Sequence, residues 1–463
     1  MTTALDRRPA DLSEETDDQL KSRVFRLSWP MVGETTLHMS MELVNTALIA
    51  GLGAVALAGA GAALQVMQFL VAALTALSVG ASILVAHAIG ARDRRRASRL
   101  ARQALGWSLL LSVPMGLAGW LLAPRIIGGF DLEPAAEAMG TAYLQVAMGT
   151  VVALVVLLLS AGVLRGAGDS RTPMLVTLAA NVLNVVLAWA LIGGHLGLPQ
   201  MGVVGAAWAT FISRSVAVVL ILTALWSGRA GLSIRARSWW RPRLAVGREI
   251  LGLGTPAAAE QMLISGAWLA FTVMVAHIGT TELAVQRVAM TIMSMAFLPA
   301  IGLQLATTTL VGQAVGARRP DVARRVIAIT TRWSLVLVSV IAGALMIWAR
   351  PVMEAFSDDG AIIALGVTTL HVMLLTQPFW AVTMQQTGAL RGMKDTVSPL
   401  VIEGVVNWTA VAVSALLIYR LGAGLTQAWW AYVAVGPALV ALTVWRRRRR
   451  VDQLARALRT APG

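Results

Sequence analysis

Apolar residues run along this chain in long blocks, and the polar residues gather in short gaps between them. A membrane-spanning helix needs about 20 apolar residues. Read with that window, the pattern predicts twelve spans, at residues 27–50, 56–88, 103–124, 137–162, 173–194, 202–226, 249–278, 283–314, 329–349, 361–388, 399–420 and 426–445. The gaps alternate in charge. Arg92, Arg94, Arg95, Arg96, Arg99 and Arg102 follow the second span, and Arg318, Arg319, Arg324 and Arg325 follow the eighth. Smaller basic groups follow the fourth span (Arg165, Arg171) and the tenth (Arg391, Lys394). The other gaps hold Arg125, Arg350 and Arg420, together with most of the loop acids, such as Asp131, Glu133, Glu282, Glu354, Asp358 and Asp359. By the positive-inside rule, both termini are then expected in the cytoplasm of a multi-pass membrane protein.

Residues 1–26 are polar and of mixed charge, and read as a disordered cytoplasmic tail. No apolar core lies near the start, so the first span is expected to act as an uncleaved insertion signal. The segment 227–248 contains Trp239, Trp240 and six Arg, and reads as an amphipathic linker on the inner membrane surface. Arg446 to Arg450 open a basic cytoplasmic tail, 446–463, read as a topological stop in preference to an anionic-lipid site.

Composition agrees. Of the 463 residues 57% are hydrophobic and 13% charged, against about 25% charged in soluble proteins, and the mean hydropathy is +0.72. A net charge of +15 suggests nucleic acid only until its distribution in short loops is seen. The chain has no cysteine, so thiolate metal sites and Cys nucleophiles are excluded. It has no G-x-x-x-x-G-K-[ST], no H-E-x-x-H and no G-x-S-x-G. The expectation is a protein that is not an enzyme and needs neither metal nor cofactor.

The chain repeats itself. Leu164-Arg165-Gly166 returns as Leu390-Arg391-Gly392, an offset of 226 residues. At that offset Pro30 matches Pro256, Glu34 matches Glu260, Gly90-Ala91-Arg92 matches Gly316-Ala317-Arg318, and Asn181 matches Asn407. After the fifth span the offset becomes 222, with Trp208-Ala209 matching Trp430-Ala431. So long a constant register means duplication. Each half has an even number of spans, so the halves share one orientation. The expected fold is an all-α polytopic membrane protein with twelve transmembrane helices. They form two six-helix lobes, 27–226 and 249–445, related by a pseudo-two-fold axis along the membrane normal.

Those residues also carry a family likeness. The two Leu-Arg-Gly loops, the Gly-Ala-Arg turns and the Pro-x-x-x-Glu openings of spans one and seven stand in order at matching spacing. The chain resembles the multidrug and toxic compound extrusion (MATE) transporters from about Leu27 to Trp445. The resemblance implies an antiporter that expels amphiphilic, often cationic, organic compounds using a proton or sodium gradient. Two departures matter. Where many members have Val-Asp-Thr late in the first span, this chain has Val44-Asn45-Thr46, and where the sodium-dependent branch has an acid before the second Leu-Arg-Gly, it has Trp380.

Ionisable residues inside a span are costly and usually face a cavity or a partner. Glu34, His38 and Glu42 recur every four residues, and Asn45 completes the stripe on one helix face. This face is expected to line an internal cavity, where a desolvated carboxylate exchanges protons near neutral pH. The competing expectation pairs Glu34 locally with Arg23 or Arg26. Glu260, the repeat mate of Glu34, suggests a second acid for cation attraction or proton binding. Weaker polar candidates are Gln65, Asn181, Gln286, Arg287, Glu403 and Asn407. The expected partners are a small organic substrate, a coupling ion and membrane lipids, for a monomer that binds no nucleic acid. A proton is favoured over sodium because both best-known acidic positions are replaced. The alternatives are a lipid flippase, for which Arg214 and Arg287 are the basic candidates, and a channel or receptor.

Overall fold

A computed structural model describes residues 16–228, 231–235 and 243–460. Its helices run α1 (Asp17–Ala50), α2 (Ala54–Gly90), α3 (Arg94–Gly128), α4 (Pro134–Gly149), α5 (Val151–Ala167), α6 (Arg171–Gly193) and α7 (Gly202–Trp226). They continue as α8 (Leu244–Ile278), α9 (Thr280–Gly316), α10 (Pro320–Ile347), α11 (Ala349–Glu354), α12 (Gly360–Leu375), α13 (Gln377–Gly392), α14 (Val397–Leu421) and α15 (Leu425–Thr460). There is no strand among the described residues. Ten spans among them are long and apolar enough to cross a membrane, or eleven when α4 and α5 count as one bent span. The remaining long helix is α1, with 34 residues, and its polar stripe keeps it out of that set. The protein is an all-α, multi-pass membrane protein of the twelve-helix kind.

Two predicted spans are broken helices. Residues 137–162 were expected as one span, but α4 and α5 meet at Thr150 with a 49° bend. The Thr150 hydroxyl donates to the Ala147 carbonyl at 2.6 Å. Its repeat mate Thr376, between α12 and α13, does the same to Met373 at 2.6 Å. A hydroxyl bonded to the preceding turn competes with the backbone ladder, and Pro378 deprives the second break of a donor. Pro299 lies inside α9 without interrupting it.

The first helix also starts earlier than the sequence suggested. Residues 17–26 belong to α1, with Asp17 and Asp18 in its first turn, where the helix dipole favours acids. Leu20, Val24, Leu27 and Met31 form a buried stripe packed with Leu310, Val326 and Leu390. Residues 1–15 of the proposed tail, and Arg229, Arg237, Trp239, Trp240 and Arg241 of the proposed linker, lie outside the described residues. The basic run Arg446–Arg450 is part of α15, which contains no breaker between Pro437 and Thr460.

The chain forms two compact units. The amino unit comprises Gly33–Val85 and Asp93–Met262; the carboxyl unit comprises the residues up to Val32, Ala86–Arg92 and those from Leu263 onward. Both α1 and α8 therefore begin in one unit and end in the other.

The duplication persists at atomic detail. In the first Leu-Arg-Gly loop, Gly168 adopts a left-handed φ of 92°, and the Asp169 amide donates to the Leu164 carbonyl at 2.9 Å. In the second, Lys394 has φ 61° and the Asp395 amide donates to Leu390 at 2.9 Å. Each Asp then caps the next helix, accepting from the Thr172 amide at 3.0 Å or the Ser398 amide at 3.1 Å. Close helix packing is duplicated as well. A Cβ on Gly162 would lie 2.7 Å from the Ser78 carbonyl on α2, and one on Gly388 would lie 2.7 Å from the Gln304 carbonyl on α9. With Gly166 and Gly392 these make a G-x-x-x-G pair in each half, the spacing that lets helices approach closely in a membrane.

Candidate functional site

The polar stripe of α1 enters the amino unit at Glu34, which is 4% exposed. Arg165, in the last turn of α5, donates from Nη1 to Glu34 Oε1 at 2.7 Å. The expected local pairing with Arg23 or Arg26 is not the one observed. Those residues belong to the part of α1 in the carboxyl unit, and Arg23 donates to Gln313 there at 2.9 Å. Arg165 thus does more than mark topology: it neutralises a buried acid. Taking one partner away from such a pair leaves an uncompensated buried charge. The second carboxylate oxygen, Glu34 Oε2, is buried with no hydrogen-bond partner.

One turn on, His38 keeps accessible surface. It is exposed on α1 and lies within electrostatic range of Glu34, Arg165 and Arg214. Glu42, also accessible, interacts electrostatically with Arg214. Arg214 is the central residue of the 25-residue α7 and is half-buried. It interacts with Glu42 and with Tyr143 of α4, and Nη1 lies 3.5 Å from Thr150 Oγ1 at the α4–α5 break. Asn45 Oδ1 is buried without a hydrogen-bond partner. Asn181 Nδ2 donates to the Leu37 carbonyl at 2.6 Å, which ties α6 to α1. The Asn184 amide reaches Thr210 and Ser213 on α7 at 3.2 and 3.3 Å. The amino unit thus carries a run of ionisable groups, from Arg165 and the buried Glu34 through the exposed His38 and Glu42 to the half-buried Arg214.

The structure does not gather every candidate there. Glu260, 1% exposed, lies on α8 in the same unit and is engaged. Gln65 is exposed on α2, and Arg287 is exposed on α9. The others belong to the carboxyl unit. Glu403 is 5% exposed, and its Oε1 accepts from Thr387 Oγ1 at 2.6 Å; Asn407 Nδ2 donates to the Glu403 carbonyl at 2.8 Å. Gln286 Oε1 accepts from Trp429 Nε1 at 2.9 Å beside a cluster of Trp268, Phe271, Trp429 and Tyr432. Among the described residues, no group of three or more His, Cys, Asp or Glu is arranged to hold a metal ion.

Tyr143, Thr150 and the pairing role of Arg165 escaped the sequence reading. Arg214 was noticed only as a possible lipid-phosphate contact. Its signal was present, as a lone cation at the centre of an apolar run.

A family model described as MatE matches residues 30–190 and again residues 256–416. The chain belongs to the MatE family. Its two matches are themselves separated by the internal offset seen in the sequence. Among curated MATE relatives, the "Probable multidrug resistance protein NorM" of Thermotoga maritima is 32% identical over 429 residues, covering 91% of each chain. The "Multidrug resistance protein NorM" of Burkholderia vietnamiensis is 26% identical over 443 residues, covering 94% of this chain and 95% of that one. Solved structures share the fold. A MATE in the bent conformation gives a TM-score of 0.89 at 23% identity, covering 96% of this chain and 100% of that one. A MOP superfamily transporter from Pyrococcus furiosus gives 0.87 at 23% identity, covering 94% and 96%.

Proposed function

We propose that this MATE chain is a proton-coupled antiporter that exports amphiphilic organic compounds by alternating access. The observation that carries this reading is Glu34: a buried carboxylate with one oxygen on Arg165 and the other unpartnered. An unpartnered buried oxygen is costly. Protonation neutralises the carboxylate at the expense of the Arg165 ion pair, so proton binding changes the local charge by one unit. His38 and Glu42 extend the polar line to surface that a substrate can reach. A cationic substrate drawn to that line competes with the proton for the same negative charge, and this competition is the simplest form of exchange. Asn45 and Trp380, where relatives that use other acids carry carboxylates, support proton over sodium. The Arg-rich gaps support an inner-membrane orientation with both termini in the cytoplasm, and the active unit is read as a monomer. Glu260 is proposed as the second coupling acid on the strength of repeat equivalence and burial.

The test is efflux of a fluorescent cation from proteoliposomes under an imposed proton or sodium gradient. A proton gradient is expected to drive efflux, and Glu34→Gln and Glu260→Gln to abolish it while leaving the protein folded. Efflux driven by sodium alone at constant pH overturns proton coupling. Dissipation of the dye gradient with no dependence on either ion points to a channel.

A further inference from the structure

An arginine halfway across a membrane span is expensive, about 2.5–3.5 kcal/mol even on the mildest insertion scale. A guanidinium has five N–H donors in a planar fork. Arg214 uses them sparingly. Its single hydrogen bond among the described residues, to Thr150 Oγ1, is 3.5 Å long, at the weak limit for such a bond. It forms no ion pair among the described residues: Glu42 acts on it electrostatically without touching it. The Tyr143 ring beside it is 4% exposed.

Nothing in the fold demands this cation. The repeat mate of Arg214 is Gly436, and the second half builds the equivalent helix, α15, without a charge there. The mate of Glu42 is Trp268. The charged pair is a feature of the amino unit alone. Arg214 also reaches the α4–α5 break, and binding sites in transporters of duplicated fold are commonly built at interrupted helices. An arginine fork matches a carboxylate in geometry as well as charge.

We propose that Arg214 is an anion-binding determinant of the substrate site, and that Glu42 and Arg214 together select amphoteric compounds carrying both a cationic group and a carboxylate. The proposal rests on the transporter reading above and narrows its substrate class. The cationic end of such a molecule meets Glu42, and its carboxylate takes the unused donors of Arg214.

The test uses a matched pair of dyes, a rhodamine with a free benzoate and the same rhodamine as its methyl ester. Binding of each to the purified full-length protein is measured by fluorescence anisotropy for wild type, Arg214→Gln and Arg214→Met. Both variants remove a mid-membrane charge, so at least one is expected to elute as a monodisperse, folded protein. The free acid is expected to lose at least about tenfold in affinity in either variant. The ester is expected to stay within about threefold. An equal loss for both dyes overturns the proposal in favour of a structural or coupling role. So does a wild type that holds the free acid no tighter than the variants do. Because binding needs no gradient, it also separates the two readings. Arg214-dependent binding of the acid without gradient-driven export of either dye sinks the antiporter and leaves the anion site standing. Gradient-driven export of both dyes with no Arg214 dependence does the reverse.

Discussion

The two halves of this protein began as one sequence and now have different interiors. In the first, α1 carries His38, Glu42 and Asn45 beyond its shared glutamate; at the same positions α8 carries Ile264, Trp268 and Phe271. Arg214 stands opposite Gly436, Thr210 opposite Tyr432, and Ala207 opposite Trp429. The result is a line of charge in the amino unit and an aromatic cluster in the carboxyl unit. In the cluster the Trp268 and Tyr432 rings stack with centroids 5.4 Å apart, and Phe271 meets Trp429 edge-on at 5.4 Å. What stayed equal is the frame: the capped Leu-Arg-Gly loops, the helix breaks at Thr150 and Thr376, and the G-x-x-x-G pairs. Positions that hold helices together were kept in both copies, and positions that face the interior were free to diverge.

The frame is the place to look for the largest effect. Gly162→Leu and Gly388→Leu would each drive a side chain into the facing helix backbone, at a cost of about 3 kcal/mol or more. Both are expected to lose most folded protein, read as the monodisperse fraction on fluorescence-detected size exclusion. A severe loss for one and none for the other would break the equivalence of the frames.

Next come the interiors. Glu34→Gln is expected to reduce proton-driven efflux to background; it also lowers the thermal midpoint, because Arg165 loses its buried partner, while leaving a monodisperse folded fraction for assay. Trp268→Leu is expected to cost about 1–3 kcal/mol of stability through lost aromatic packing, and to leave the dependence of efflux on the proton gradient within about twofold of wild type. If Trp268→Leu uncouples transport and Glu34→Gln does not, the roles of the two halves are reversed.

The smallest effect lies at the loops. Asp169→Ala and Asp395→Ala each remove a helix cap worth about 1 kcal/mol. Asp395 also pairs with Arg446 of α15 at 2.8 Å, a link with no counterpart at Asp169 among the described residues. Its loss is expected to lower the thermal midpoint further, by an amount matching at most about 1 kcal/mol. Equal midpoints would mean that the α15 contact contributes nothing.

The fold was legible because a lipid environment demands long apolar runs, and because a 226-residue register is hard to produce by chance. The helix breaks were not. Thr150 and Thr376 are ordinary residues of an apolar run whose hydroxyls each turn onto a carbonyl three residues back, and only the second break has a proline, Pro378, beside it. Of the site, the stripe on α1 was legible from its spacing. Its counterions were not, because Arg165 is 131 residues from Glu34 and looked like one more basic loop residue. Arg214 was visible as an anomaly, but sequence alone did not join it to Glu42.

The central claim is that proton and substrate exchange at Glu34. Proton release on adding a cationic dye to the purified protein in weakly buffered detergent solution measures this directly. Wild type and Trp268→Leu are expected to release protons on binding, and Glu34→Gln to bind the dye with none released. Undiminished release from Glu34→Gln would contradict the claim and move the exchange to another acid.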